Sequence, residues 1–159
     1  MIIVRKAQNL LESKIQPGKV IVLQGARRVG KTFLLKEYLK TVNEKYIFWN
    51  GEDFAVQEML RRRSVQNYKN ILGSTALLII DEAQKVPDIG SILKLIVDSF
   101  ESLKIIVTGS SAFDIANLTG EPLTGRKYEI VLYPVSESEF LPFEKHEARY
   151  DNLLQRLVY

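Results

Sequence analysis

GARRVGKT, residues 25–32, sets two arginines and a lysine beside two glycines in one short stretch. Like charges this close repel, and glycine loses more backbone entropy on folding than any other residue. Both costs are offset if the stretch wraps an anion. It fits G-x-x-x-x-G-K-[ST] with Gly25, Gly30, Lys31 and Thr32, a pattern that a chain of this composition meets by chance with a probability on the order of 1%.

The flanks agree with the pattern. KVIVLQG (19–25) is a short, apolar, β-branched run and predicts a buried strand. KTFLLKEYLK (31–40) places Phe33, Leu34, Leu35, Tyr38 and Leu39 on one broad apolar face of a predicted helix. Strand, glycine-rich turn and helix start are the setting in which successive backbone N–H groups converge on a phosphate. Gly25 turns the chain off the strand and Gly30 lets backbone approach the anion. Lys31 reaches the β- and γ-phosphates, and the Thr32 hydroxyl ligates Mg²⁺. The cofactor-binding set is Gly25, Ala26, Arg27, Arg28, Val29, Gly30, Lys31, Thr32 and Phe33, joined by Ser110. Arg27 and Arg28 occupy variable positions of the loop. Either one of them faces the phosphate entrance or both are solvated.

Working outward, VRKAQNLLESKI predicts a first helix, broken by QPGK. KYIFW (45–49), ALLIID (76–81), LKIIVTG (103–109) and KYEIVLYP (127–134) predict four further strands. Residues 52–72 read as one or two helices, PDIGSILKLIVDSF (87–100) as another, and the tail from SESEF onward as helical. Strands apolar on both faces and alternating with helices predict a three-layer α/β/α fold with a five-stranded, mostly parallel sheet. Ligands of such sheets bind at the C-terminal ends of the strands.

ALLIIDEAQ ends its strand in Asp81 and Glu82. Two carboxylates at the end of a buried strand are costly without a cation or a proton to handle. Beside a phosphate loop, Asp81 holds the Mg²⁺ shell and Glu82 orients and polarises an attacking water. KYIFW falls between Lys31 and Asp81 along the chain. That favours the P-loop division in which an additional strand separates the loop strand from the acidic strand and a catalytic Glu is carried. IIVTGSSAF ends the next strand in Thr108, Gly109, Ser110 and Ser111. A hydroxyl here either contacts the γ-phosphate or attacking water, or caps a helix over AFDIA. Arg126 precedes the last strand. Two readings stand for it: stabilising developing phosphate charge in its own or a neighbouring subunit, or simple exposure. The basic run Arg61–Arg63 is read as a solvated helix face rather than a nucleic-acid contact, given a net charge of only +3.

Composition excludes several classes. With 159 residues, 46% of them hydrophobic, the chain can bury one core. It has no cysteine and a single histidine, His146, which excludes disulfide scaffolds, cysteine metal sites and histidine relays. No apolar run approaches the ~20 residues that span a bilayer. The short apolar start before Arg5 and Lys6 does not support a secretory leader, so the expected location is cytoplasmic, away from membranes.

The ordered set GARRVGKT, LLIIDEAQKVPD, IIVTGSSAF and LTGRKYEIVLYPVSESEF resembles the AAA+-like P-loop ATPases of bacteria and archaea. More narrowly, it is similar to the group in which an N-terminal ATPase domain precedes a C-terminal domain of unassigned function. The resemblance covers most of residues 1–141, the expected ATPase domain, with 142–159 as the helical start of a following segment. It implies ATP and Mg²⁺ as cofactors, Walker roles for Lys31, Thr32, Asp81 and Glu82, and a sensor role for the TGSS turn. Arg126 matches the family's GR pair. The implied activity is hydrolysis of ATP. The alternative is a slowly hydrolysing, nucleotide-gated switch that docks a protein or nucleic-acid partner. A homo-oligomer is compatible with either. DEAQ resembles the acidic box of helicases, but that reading needs a second nucleotide-binding-type domain. A GTPase is disfavoured because no N-K-x-D segment is present.

Overall fold

The structure is a computed structural model and describes residues 5–110, 123–136 and 139. Five strands form one sheet: β1 Val20–Gln24, β2 Tyr46–Asn50, β3 Leu77–Asp81, β4 Lys104–Gly109 and β5 Lys127–Val131. Their order across the sheet is β2-β3-β4-β1-β5, and all four pairings are parallel. Around it lie helices α1 Lys6–Lys14, α2 Lys31–Leu39, α3 Phe54–Arg61, α4 Val65–Leu72 and α5 Ile89–Ser99, with a 3₁₀ turn at Ala83–Lys85. The predicted three-layer α/β/α fold is the observed one. Residues 52–72 resolve into two helices, each started by its own side-chain cap. Asp53 accepts from Ala55 N–H, and Ser64 accepts from Asn67 N–H.

The layers follow from strand periodicity. In β1, Val20 and Val22 face one core while Ile21 and Leu23 face the other; in β3, Leu78 and Ile80 alternate with Leu77 and Ile79 in the same way. The first core is closed by Val56 and Leu60 of α3, Tyr68 and Leu72 of α4, and Ile92, Leu93 and Ile96 of α5. The second is closed by Leu11 of α1 and Leu34, Leu35 and Tyr38 of α2. Burial on both faces explains why these strands read as continuous apolar runs rather than alternating ones.

The additional strand between loop strand and acidic strand is present, but it is β4. β1 pairs with β4, and β4 pairs with β3. KYIFW, which lies between the two motifs in the chain, forms β2 at the sheet edge. The readings of Ser111 and the AFDIA helix, of His146 and of the helical tail lie outside the described residues. Among the described residues, no helix is long and apolar enough to cross a membrane.

Candidate functional site

β1 ends at Gln24, and the chain leaves the sheet at Gly25. A Cβ at Gly25 would run into the Leu132 carbonyl oxygen, so only glycine lets the loop start this close to the β5 extension. The loop then reaches Gly30, which sits at the N-cap of α2 with φ of 97°, a left-handed conformation that costs other residues energy. Arg28 also has positive φ, 65°. The positive φ of Arg28 and of Gly30, two residues apart, turns the backbone sharply between β1 and α2. Ala26, Arg27 and Arg28 are exposed on the rim, and Phe33 is half exposed on the first turn of α2.

Lys31 is buried, and its ammonium donates to the Gly25 carbonyl at 2.8 Å and the Ala26 carbonyl at 3.1 Å. The buried cation is held by these two loop carbonyls. Beside it, the Thr32 hydroxyl donates to Asp81 Oδ2 at 2.7 Å. The sheet order makes this contact: β4 separates β1 from β3, leaving room for a loop side chain to reach the end of β3.

The other oxygen of Asp81 is also engaged. Thr108 Oγ1, fully buried at the end of β4, donates to Asp81 Oδ1 at 2.5 Å and accepts from Glu82 N–H at 2.9 Å. The Thr108 hydroxyl therefore fixes the acidic strand end rather than pointing to a phosphate. Glu82 is partly buried and left-handed, with φ of 51°, and its Oε2 accepts from Gln84 Nε2 at 2.5 Å. Gln84 Oε1 is buried with no partner among the described residues, so a buried acceptor lies next to the Glu82 carboxylate. Ser110, next along the TGSS turn, is partly buried after β4.

Three further residues, Gly51, Arg5 and Glu139, complete the surroundings. Gly51 N–H donates to the Asp81 carbonyl at 2.7 Å, and a Cβ there would lie 2.5 Å from the Glu82 carbonyl oxygen. Arg5, buried, donates from Nη1 to the Val29 carbonyl of the loop at 3.0 Å and from Nη2 to the Tyr133 carbonyl. Glu139 faces Arg5 Nε at 3.4 Å. Burial alone would raise the Glu139 pKa, but hydrogen bonds from Ser136 and Lys6 N–H, with the Arg5 charge, together hold it below the usual carboxylate value.

Arg126 corrects the expectation placed on it. Its carbonyl accepts from Val20 N–H, so it sits where β1 begins, at the sheet edge opposite the loop, and its exposed guanidinium pairs with Asp98 at 2.7 Å. The length of β1, roughly 16 Å at strand rise, separates it from Gly25, so it does not enter its own chain's loop. The basic run is likewise committed in part: Arg61 pairs with Glu58 and Arg63 with Asp88.

The constellation is a glycine-turned loop, a buried lysine, a hydroxyl on an aspartate and an adjoining glutamate. A family described as "AAA domain" matches residues 17–141. An uncharacterized protein of Methanocaldococcus jannaschii is 29% identical over 149 residues, covering 87% of this chain and 32% of its own length. One of Haemophilus influenzae is 29% identical over 150 residues, covering 84% and 36%. The chain thus spans about a third of the curated relatives it matches. Among solved structures, a Pif1 helicase from Candida albicans superposes with a TM-score of 0.61 at 14% identity, covering 89% of this chain and 43% of that one. A DNA replication initiation factor superposes with 0.55 at 20%, covering 92% and 49%. At these identities the superpositions show the shared fold.

Proposed function

The chain belongs to the AAA domain family, and we propose that it is a cytoplasmic ATP hydrolase that converts ATP to ADP and phosphate with Mg²⁺. The observation that carries this reading is the 2.7 Å contact of Thr32 Oγ1 with Asp81 Oδ2. It joins the phosphate loop to the acidic strand end at one point, with the Lys31 ammonium on the same loop. The donor set suits the metal: a threonine hydroxyl and a carboxylate oxygen meet at 2.7 Å, and Mg²⁺ in such sites takes one or two protein oxygens plus phosphate and water. Thr32 and Asp81 would hold it, and it would supply charge neutralisation between the phosphates.

The roles proposed for the chain's own residues are these. The backbone N–H groups from Ala26 to Lys31 face the phosphates, with Gly25 and Phe33 bounding the stretch. Arg27 and Arg28, on the exposed rim, screen the entrance. Lys31 exchanges its two carbonyl partners for β- and γ-phosphate oxygens, which offer it full negative charge. Glu82 accepts the proton of the attacking water, and the unpartnered Gln84 Oε1 is a second acceptor to orient that water. Ser110 lies at the end of β4 as the γ-phosphate sensor. Residues 1–141 form the ATPase domain, and 142–159 begin a following segment that leads, in this group, to a C-terminal domain. A second reading, the slow nucleotide-gated switch, is favoured by one contact: the Glu82 carboxylate is already engaged by Gln84 at 2.5 Å. The partners proposed beyond ATP are another copy of this chain or a nucleic acid.

Thermal melting tests the binding. Mg²⁺·ATP at about a hundredfold its Kd stabilises the folded state by about 2.7 kcal/mol, a rise on the order of 5–10 °C for a domain this size. Lys31→Ala is expected to remove most of that rise. An undiminished rise in Lys31→Ala means that the loop does not hold the phosphates. Phosphate release by the wild type, measured alongside, separates hydrolase from switch.

A further inference from the structure

Arg5 is a buried cation that the phosphate-loop chemistry does not use, yet it touches the loop. Its guanidinium spends three donors on three different segments: Val29 O in the loop, Tyr133 O after β5, and Glu139 Oε1. Glu139 in turn gathers the Lys6 N–H at 2.8 Å, the Ser136 N–H at 2.9 Å and the Ser136 hydroxyl at 3.2 Å. A planar fork of fixed donors suits such a three-way junction, where a lysine ammonium does not.

The consequence for the loop lies in one peptide plane. The Val29–Gly30 peptide is trans, so the Val29 carbonyl and the Gly30 N–H point in opposite directions. Arg5 Nη1 holds that carbonyl on the α1 side, and a Cβ at Gly30 would lie 3.6 Å from the same nitrogen. The Gly30 N–H is thereby turned away from Arg5. Gly30, left-handed and without a side chain, would otherwise let this peptide flip at low cost.

We infer that Arg5 and Glu139 are positioning residues for the phosphate loop: they lock the Val29–Gly30 peptide with its N–H toward the phosphates and so tie nucleotide affinity to the segment after β5. The inference rests on the nucleotide reading of the loop. It makes the junction of α1 with the chain beyond β5 a point from which a movement at Ser136–Glu139 reaches the phosphates through one side chain.

Calorimetric titration of the full chain with ATP and with inorganic tripolyphosphate, well below its melting temperature, tests it. Arg5→Lys is expected to weaken both ligands about tenfold and Glu139→Gln about threefold, the scale of a lost charge-assisted hydrogen bond to a loop group. Ile96→Val, a core change on the opposite face of the sheet, lowers the melting temperature without changing either affinity. If Arg5→Lys does not fold, Glu139→Gln decides. Affinities within twofold of wild type in the variants, with only a lowered melting temperature, overturn the inference and leave the nucleotide reading intact. A loss confined to ATP, with tripolyphosphate unaffected, also overturns it, because the effect then lies with the base. A wild type that binds neither ligand removes the nucleotide reading itself.

Discussion

The two ends of β1 carry opposite kinds of chemistry. At its C-terminal end, Lys31, Asp81 and Thr108 are buried, and each is bonded within a short-range network. At its N-terminal end, the charged pair Arg126–Asp98 is exposed on both sides. Burying polar groups without partners costs several kcal/mol, so the first end keeps its groups interlocked. The second end needs no such arrangement, because water solvates its charges. Parallel strands put every strand's C-terminal end on one edge. The buried polar network therefore gathers there from different chain segments, while among the described residues the other end carries the exposed Arg126–Asp98 pair.

The largest effect that sharpens this contrast is expected at Glu82. Glu82→Gln keeps the shape and the Gln84 neighbour but loses the base, so turnover falls about 10²- to 10³-fold while nucleotide affinity stays near wild type. Steady-state phosphate release and equilibrium titration together measure it. Wild-type turnover in this variant assigns the proton to another group. A smaller effect is expected where β2 meets β3. The added methyl of Gly51→Ala would stand 2.5 Å from the Glu82 carbonyl oxygen and 3.1 Å from that of Asp81. Backbone must shift, at a cost of about 1–3 kcal/mol, and Glu82 shifts with it, lowering turnover about tenfold. Denaturant unfolding gives the first number and an ATPase assay the second. Reduced stability with full turnover would show that this joint does not position Glu82.

Much of this strand-end cluster was legible in the sequence because it is written locally. The loop is a contiguous motif, the strands are contiguous apolar runs, and Asp81 and Glu82 sit at a strand end. What was not legible is what only strand order and long-range contact create. That β4 rather than KYIFW separates β1 from β3 is a fact of spatial order, which chain order does not state. Arg5 and Glu139 meet across 134 residues; each stands in a stretch that the sequence marks, but nothing in either stretch names the other as its partner. Gly51 has no unusual φ to advertise it; its need is the carbonyl of another strand. Thr108 was visible as a hydroxyl at the right strand end, but its use in bridging Asp81 and the Glu82 N–H depends on β3 and β4 being neighbours.

Arg126 is the opposite case, one in which the sequence held a constraint that went unused. A residue that precedes a strand in a parallel sheet lies at that strand's N-terminal end, away from the ligand edge, and KYEIVLYP already read as a strand of that sheet. The structure places Arg126 there, with Asp98 as its partner. Its exposed ion pair is worth at most about 1 kcal/mol, because water and salt screen it. Arg126→Ala is therefore expected to change the melting temperature by no more than a few degrees and to leave turnover per chain unchanged at any protein concentration. This is the smallest effect of the set, and the most direct trial of the contrast between the two sheet edges. A large loss of turnover that appears only as concentration rises would mean that a second copy brings its N-terminal edge to this copy's phosphates, and that the exposed edge is functional in the assembly rather than inert. A loss independent of concentration would overturn the expectation, because it would show that the N-terminal end of the strands acts on the loop of its own chain.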